Sequence, residues 1–203
     1  MGSFSRCLWA TAGGGASVSW VDESLRAEIR AMDEEDQRVR AELLATGELF
    51  RGYNRRMEAV HLQNSGRLEQ IVEAYGWPAD WETHEAAFRI VQHSISRPDF
   101  MRRMQRLVTE PLAAAMLDDR IRSFEGRGQR FGTQFDWDEK GELNPLALDD
   151  PEGVDERRAQ IGLPPLAVAV EAMRASLGEE RPPDDPAGRR READEWARSV
   201  GWR

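Results

Sequence analysis

The sequence predicts a mainly α-helical fold, a single helical domain that carries one small antiparallel β-hairpin. Two observations support this. Apolar residues recur every three to four positions through most of the first 125 residues, and the period changes to two only over 128–137 and 142–148. The two ends are rich in Gly and Ser or in Pro and Arg. We therefore predict a flexible N-terminal arm over 1–20, the domain over 21–177, and a weakly ordered polar Pro/Arg-rich tail over 178–203.

The first predicted helix, over 22–46, is amphipathic but carries an acid on its apolar face. Its apolar stripe consists of Leu25, Ile29, Met32, Val39 and Leu43. The stripe skips one place, between Met32 and Val39, and Asp36 fills it. A carboxylate there has to be paired or hydrogen-bonded, because leaving it bare costs several kcal/mol.

Further helices follow at short intervals. The spacing predicts helices over 48–60, 64–75, 82–96 and 110–125, with another capped by Asp99. Asn64 is the predicted cap of the third helix, and Pro98 ends the fourth because the residue before a proline is pushed out of the helical region. Pro111 suits the first turn of the helix over 110–125.

The change of period predicts the hairpin. The strands over 128–137 and 142–148 are joined by DEKG at 138–141, where Gly141 supplies a positive φ. Beyond the hairpin we predict a helix from Asp150-Pro151 to Gly162, another over 166–177, and a short helix near 188–199.

Composition excludes several classes of function. The net charge of −9 would repel a polyphosphate, so we expect no nucleic-acid partner. No stretch approaches the roughly 20 apolar residues of a membrane span. The single cysteine, Cys7, allows no internal disulfide and fits a cytoplasmic protein. The predicted partner is a small-molecule substrate, with a protein partner or a homodimer left open.

Three titratable residues are candidate catalytic groups. Asp36 lies on an apolar stripe, and His93 shares a helical face with Ile90 and Ala86. Histidine is suited to general acid–base work near neutral pH. Asp119 lies late in its predicted helix, where an acid is unfavourable without a cationic partner. For Asp36 and His93 a buried structural pairing is the alternative interpretation.

The segment GRGQRFGTQF, over 126–135, is the predicted wall of a pocket, with a purely structural strand as the alternative. We predict no metal and no cofactor. His84 and His93 are out of phase on one helix, the HExxH pattern is absent, and no phosphate or dinucleotide loop is present. His61 precedes the predicted Asn64 cap, and we expect it to be solvated.

Five ordered blocks resemble DUF6624, a bacterial family of unknown function. They are MDEEDQRVR (32–40), NSGRLEQIVEAYGWP (64–78), VQHSISRPDF (91–100), DDRIRSFEGRGQRFGTQF (118–135) and DDPEGVDERRAQIGLPPL (149–166). The resemblance implies that the family's recurring positions are Asp36 and Gln37, Gln92 and His93, Asp119 and Arg120, and Gly132, Thr133 and Gln134. The family's usual acid two residues after the histidine is Ile95 in this chain.

These residues suggest a small cofactor-free enzyme that acts on a polar metabolite by acid–base chemistry, as a hydrolase, lyase or ring-closing enzyme of specialised metabolism. In this hypothesis His93 moves the proton, and Asp36 or Asp119 orients it or holds a substrate amine. The predicted substrate-binding residues are Gln37, Gln92, Arg120, Gln129, Arg130, Thr133 and Gln134. The alternative is a non-catalytic binding or partner subunit of a heteromeric enzyme.

Overall fold

The computed structural model describes residues 23–50, 52–178 and 181–203, and the predicted arm over 1–20 lies outside them. The described residues divide into two compact units. We call residues 23–114 and 196–202 the helical unit, and residues 115–195 and 203 the hairpin unit. The predicted mainly helical fold with an antiparallel hairpin is confirmed.

Three packed helices form the centre of the helical unit. These are α1 (Glu23–Ala45), α2 (Arg55–Tyr75) and α3 (Trp81–His93), and each contacts the other two. A 3₁₀ turn over Glu48–Phe50 precedes α2, and α4 (Pro98–Gln105) packs against α3. Helix α5 (Pro111–Phe124) begins in this unit and continues into the hairpin unit.

The core of the helical unit follows the apolar face of each helix. The buried apolar side chains of α1 to α3 are Ile29, Val39, Leu43, Met57, Leu68, Ile71, Val72, Ala86, Ala87, Phe88, Ile90 and Val91. Two acids, Asp33 and Asp36, are buried on the same face of α1. Met32, which we placed on the stripe, is only partly buried, since Asp33 takes the inward position.

Helix α2 is one continuous helix, where the sequence predicted two over 48–60 and 64–75. Its cap is Asn54, whose side chain accepts hydrogen bonds from the Arg56 and Met57 amides. Asn64 is buried within the helix and donates to the Met32 carbonyl at 2.8 Å. A tertiary hydrogen bond to α1 therefore replaces the predicted capping role of Asn64.

The hairpin unit contains a two-stranded antiparallel sheet. Strand β1 (Phe135–Trp137) pairs with β2 (Leu143–Pro145), and Asp136 lies opposite Asn144. Gly141 has a φ of +76°, so the turn uses the left-handed conformation predicted for it. Helices α6 (Val154–Gln160) and α7 (Leu166–Ala175) follow. The predicted strand over 128–137 is wrong in its first half, because residues 128–134 are loop apart from one isolated bridge at Gln129.

The C-terminal tail contains more structure than its composition predicts. Helix α8 spans Pro186–Ser199, close to the short helix expected near 188–199. Trp202 is 3% exposed, and its Nε1 donates to the Ile95 carbonyl at 2.7 Å in the helical unit. None of the helices in the described residues is long and apolar enough to cross a membrane.

Candidate active site

A carboxylate and two imidazoles meet inside the helical unit. Asp36 is 1% exposed, and its Oδ2 lies 2.7 Å from Nδ1 of His93. Its Oδ1 lies 2.8 Å from Nε2 of His61. We call these three residues the Asp36 cluster. The predicted convergence of Asp36 and His93 is present, and His61, which we expected to be solvated, is 8% exposed.

Helical spacing brings the three residues together. Asp36 takes the inward position between Ile29 and Val39 on α1. His61 follows Met57 by four residues on the buried face of α2. His93 is the last residue of α3, and Ser94 caps that helix end. Each helix contributes one residue of the cluster from a face that is mostly apolar.

A second layer of side chains holds the cluster in place. The Tyr53 hydroxyl lies 2.7 Å from Nδ1 of His61, and the two rings are stacked with centroids 5.7 Å apart. The indole of Trp196 meets the Tyr53 ring edge-on. On the other side, the Gln37 amide donates to Oδ2 of Asp36 at 3.0 Å. Both His61 and Asp36 are therefore oriented by groups outside the cluster.

The surroundings shift the acidity of the two buried aspartates in opposite directions. Burial opposes ionisation of Asp36, but contacts with His61 and His93 outweigh it and hold the pKa of its carboxyl well below its ordinary value. Burial raises the pKa of Asp33 to about 6, although Arg89 lies 2.6 Å from its Oδ2. Burial also raises the pKa of the Tyr53 hydroxyl, which therefore stays protonated at neutral pH.

Asp33 lines a surface cleft of the helical unit. The cavity has a volume of about 220 Å³. Its lining residues are Arg30, Asp33, Glu34, Glu82, Glu85, Ala86 and Arg89. The four acids outnumber the two arginines, so the cleft is acidic. A cationic group suits this cleft better than an anionic one.

Asp119 belongs to the hairpin unit, where its carboxylate organises a loop. It is fully buried and accepts the backbone N–H groups of Arg130, Phe131 and Thr133 at 2.7, 3.1 and 3.0 Å. The Thr133 hydroxyl donates to Oδ2 at 3.0 Å. Gly132, with a φ of +65°, allows the chain to wrap around the carboxylate. Both oxygens are engaged, which favours a structural role for Asp119 over the predicted catalytic one.

The two glutamines of the same loop are bound within it. Gln129 is fully buried, and its Nε2 donates to the carbonyls of Gln134 and Leu146 at 3.0 and 2.9 Å. Its Oε1 accepts the Gln134 N–H at 2.7 Å. The Gln134 side chain donates to Oγ1 of Thr133 at 3.2 Å. The central part of the segment over 126–135 is thus a hydrogen-bonded loop, which favours the structural alternative, although that alternative was a strand.

The remaining predicted residues have mixed surroundings. Gln92 is half-buried next to His93 at the end of α3, and Arg120 is half-buried on α5. Arg130 is exposed, with its guanidinium 5.6 Å from the centre of the Phe131 ring. The helical unit therefore contains Asp36, Gln37, Gln92 and His93, and the hairpin unit contains the other predicted site residues.

The DUF6624 profile matches residues 23–179, more than three quarters of the chain. This protein belongs to the DUF6624 family. The family is one of unknown function. No curated protein and no solved structure gives a significant match to the chain. The assignment confirms the resemblance read from the five sequence blocks and supplies no activity.

Asp36 explains how this DUF6624 member orients its histidine. The resemblance led us to expect an acid two residues after the histidine, but this position is Ile95 and offers His93 no carboxylate. Oδ2 of Asp36 provides that partner at 2.7 Å, from a different helix. His93 therefore has a carboxylate partner although residue 95 is isoleucine.

Four residues of this DUF6624 chain were missed by the sequence analysis. His61 has a visible signal, since Met57, His61 and Leu68 lie on one helical face once α2 is continuous. Asp33 could have been found as the second acid on the α1 stripe. Tyr53 precedes α2 and has no periodic signal. Arg158 is 2% exposed and donates to the Phe131 carbonyl at 2.6 Å, a contact that no local pattern indicates.

Proposed function

We propose that this protein is a small enzyme that acts on a polar metabolite by acid–base chemistry, with His93 as the proton carrier and Asp36 as its orienting partner. The observation that carries the proposal is the 2.7 Å contact between His93 Nδ1 and a carboxylate oxygen that is itself buried. The His93 side chain is 22% exposed, so the imidazole has access to solvent that Asp36 lacks.

The contact selects one tautomer of His93. A neutral imidazole that donates its Nδ1 hydrogen to Asp36 carries its lone pair on Nε2. Nε2 is then the atom that takes a proton from a substrate, and the carboxylate stabilises the imidazolium that forms. Asp36 remains ionised throughout, because its pKa lies well below the ordinary value. A hydrolase, lyase or ring-closing enzyme would use such a pair.

His61 and Tyr53 act as positioning residues in this proposal. His61 occupies the second oxygen of Asp36, so the carboxylate cannot rotate away from His93. Tyr53 fixes the His61 ring from the other side at 2.7 Å. The group that reacts is therefore held by a chain of contacts, which is the preorganisation that acid–base catalysis requires.

Gln37 and Gln92 are the proposed substrate-binding residues of the helical unit, since they are neighbours in sequence of Asp36 and His93. Arg120 and Arg130 remain proposed contacts for an anionic group. The hydrogen bonds of Gln129, Thr133 and Gln134 favour a structural role for these three. We also retain the cytoplasm as the proposed location, and a protein partner or homodimer as the proposed assembly.

A non-catalytic binding or partner subunit is the second candidate. The observation in its favour is that Asp36 is almost fully buried with both oxygens in contact with histidine. A network of that kind can serve to fix the packing of three helices. In this case the cluster would matter for folding and not for turnover.

Substitution of His93 separates the two candidates. The full chain and its His93→Ala variant are incubated with pools of polar metabolites, and turnover is followed by mass spectrometry. The enzyme proposal expects a melting temperature within a few degrees of wild type, loss of turnover, and partial recovery when imidazole is added. His84→Ala is the matched control on the same helix and should retain turnover. Unfolding of His93→Ala, or unchanged turnover, would contradict the acid–base role.

A further inference from the structure

We propose that Asp36, His61 and His93 bind one divalent transition-metal ion, with Zn²⁺ as the representative ion. One oxygen and two ring nitrogens from the three residues lie within 4.8 Å of one another. The sequence predicted no metal site because His84 and His93 are out of phase on one helix and the HExxH pattern is absent. The donors instead come from α1, α2 and α3. This inference needs only the geometry of the cluster and does not depend on catalysis.

The spacing of the donor atoms is close to that around a metal ion. Zinc–nitrogen bonds are about 2.0–2.1 Å long, which places the ligands of a tetrahedral site about 3.3 Å apart. The two nitrogen–oxygen contacts of the cluster are 2.7 and 2.8 Å, and the histidine ring centroids are 5.5 Å apart. The two contacts are made to different oxygens of Asp36, so side-chain rotations are needed to bring one oxygen and both ring nitrogens, which lie within 4.8 Å of one another, to about 3.3 Å apart.

The contact between His61 and Asp36 points to a cation between them. Nε2 of His61 is buried and lies 2.8 Å from Oδ1, but it forms no aligned hydrogen bond. Two electron-rich atoms at that distance repel each other unless a proton or a metal ion lies between them. A metal ion accepts both lone pairs without that alignment.

The outer contacts match those of ligands in metal sites. A ligating histidine usually donates its other ring N–H to a neighbouring oxygen, which fixes its orientation. When Nε2 of His61 ligates, Nδ1 donates to the Tyr53 hydroxyl at 2.7 Å. The Gln37 amide, 3.0 Å from Oδ2, orients the carboxylate in the same way. Both kinds of ligand therefore have their supporting partner in place.

The donor set selects the class of ion. Two imidazoles and one carboxylate suit zinc, iron, nickel or copper, whereas calcium and magnesium prefer an all-oxygen shell. Three protein ligands leave further positions for water or substrate. The partial exposure of His93, 22% for its side chain, gives solvent a route to those positions. A bound ion and the acid–base form of His93 are alternative states of one cluster, because the ion and the proton compete for Nδ1.

Zinc titration of the full chain tests the inference. Metal-free protein is titrated with ZnCl₂ by calorimetry, and Co²⁺ is added separately because its visible absorption reports four-coordinate binding. We expect one ion per chain. His61→Gln and His93→Asn place an amide nitrogen near the former position of the ligating ring nitrogen, but an amide nitrogen does not bind the metal ion. Each should weaken binding by more than the roughly 10- to 100-fold that loss of an outer-shell partner costs, and Tyr53→Phe should weaken it by about 10-fold.

His84→Asn is the matched control, since His84 is the remaining histidine of the chain and lies outside the cluster. It should bind zinc as wild type does. Melting temperatures without metal show whether the variants are folded. Absence of a one-to-one site, or equal loss in His84→Asn and His61→Gln, would overturn the inference. If wild type treated with a chelator still turns over substrate and His93→Ala does not, the proposed acid–base function is supported, whatever the result of the zinc titration.

Discussion

Replacing Asp119 by asparagine should destabilise the chain strongly. The carboxylate accepts three backbone N–H groups and one hydroxyl, in a site with no solvent exposure. Asparagine has the same shape, but its NH₂ group must face at least one of these N–H donors. An orphaned buried donor costs about 1–3 kcal/mol, and the remaining bonds weaken once the charge is lost. We expect a total loss of about 3 kcal/mol or more in the free energy of unfolding.

Urea unfolding followed by circular dichroism measures this loss. With a slope of about 1–3 kcal/mol per molar urea, a loss of about 3 kcal/mol lowers the midpoint by roughly 1–3 M. Thr133→Ala removes the hydroxyl donor to Asp119 and the acceptor of the Gln134 amide, but keeps all three backbone donors, and should cost about 1 kcal/mol. Asp184→Asn, at an exposed aspartate of the hairpin unit, is the control and should leave the midpoint unchanged.

The result also decides between two roles for Asp119. If the Asp119→Asn variant unfolds at the same urea concentration as wild type, the carboxylate does not anchor the loop over 130–133. That result would favour the catalytic role that the sequence predicted for Asp119. The anchoring role would be supported if the urea midpoint of Thr133→Ala is slightly below that of wild type and the midpoint of Asp119→Asn is far below both.

Two further substitutions test the packing and the electrostatics. Gly128→Ala would place a Cβ 2.5 Å from the Asp149 backbone nitrogen and should lower the free energy of unfolding by about 1–3 kcal/mol or more. The Cβ of Gly66→Ala in α2 meets nothing within 4 Å, so this substitution should raise the free energy of unfolding by about 0.5–1 kcal/mol in the same urea assay. For Asp33, burial raises the pKa of the folded carboxyl to about 6 from an ordinary 3.8. The folded state therefore binds the proton more tightly than the unfolded state, and the free energy of unfolding of wild type falls as the pH rises between these two values. As the pH rises from 4 to 7, the free energy of unfolding of Asp33→Asn should therefore increase by about 1–3 kcal/mol relative to that of wild type. Parallel pH profiles of melting temperature for the two proteins would contradict this.

Local patterns were sufficient for most of the fold. The proline at the start of α5 and the glycine of the hairpin turn are each set by neighbours in sequence, and both are found as predicted. The α1 stripe is found at Ile29, Val39 and Leu43, with Asp33 buried in place of Met32. The split of α2 was wrong because Asn64 resembles a cap. Its side chain instead bonds to the Met32 carbonyl, 32 residues away. That partner becomes visible only after α1 and α2 have packed.

The candidate site was predictable where a polar residue interrupts an apolar face. Asp36 and His93 were found in this way. His61 was missed because its helix was divided in two, which hid the buried face that it shares with Met57. The loop after α5 was read as a strand because its composition alternates. Asp119 binds the backbone N–H groups that a strand would have offered to a neighbour, and no local rule anticipates a competitor 11 to 14 residues away.

The Asp36 cluster is difficult to explain by stability alone. A buried ion pair is often matched or exceeded in stability by apolar residues of similar volume. The inward positions of α1 include Asp33 before Asp36 and the apolar Val39 and Leu43 after it, so leucine at position 36 would extend the apolar part of this face. Instead the helix buries a carboxylate that needs two histidines from two other helices to hold it. Each of the three helices places a polar side chain at a buried position where an apolar one could pack. Of these three side chains, the imidazole of His93 remains partly exposed. That combination favours a cluster that binds or reacts over one that only holds the helices together.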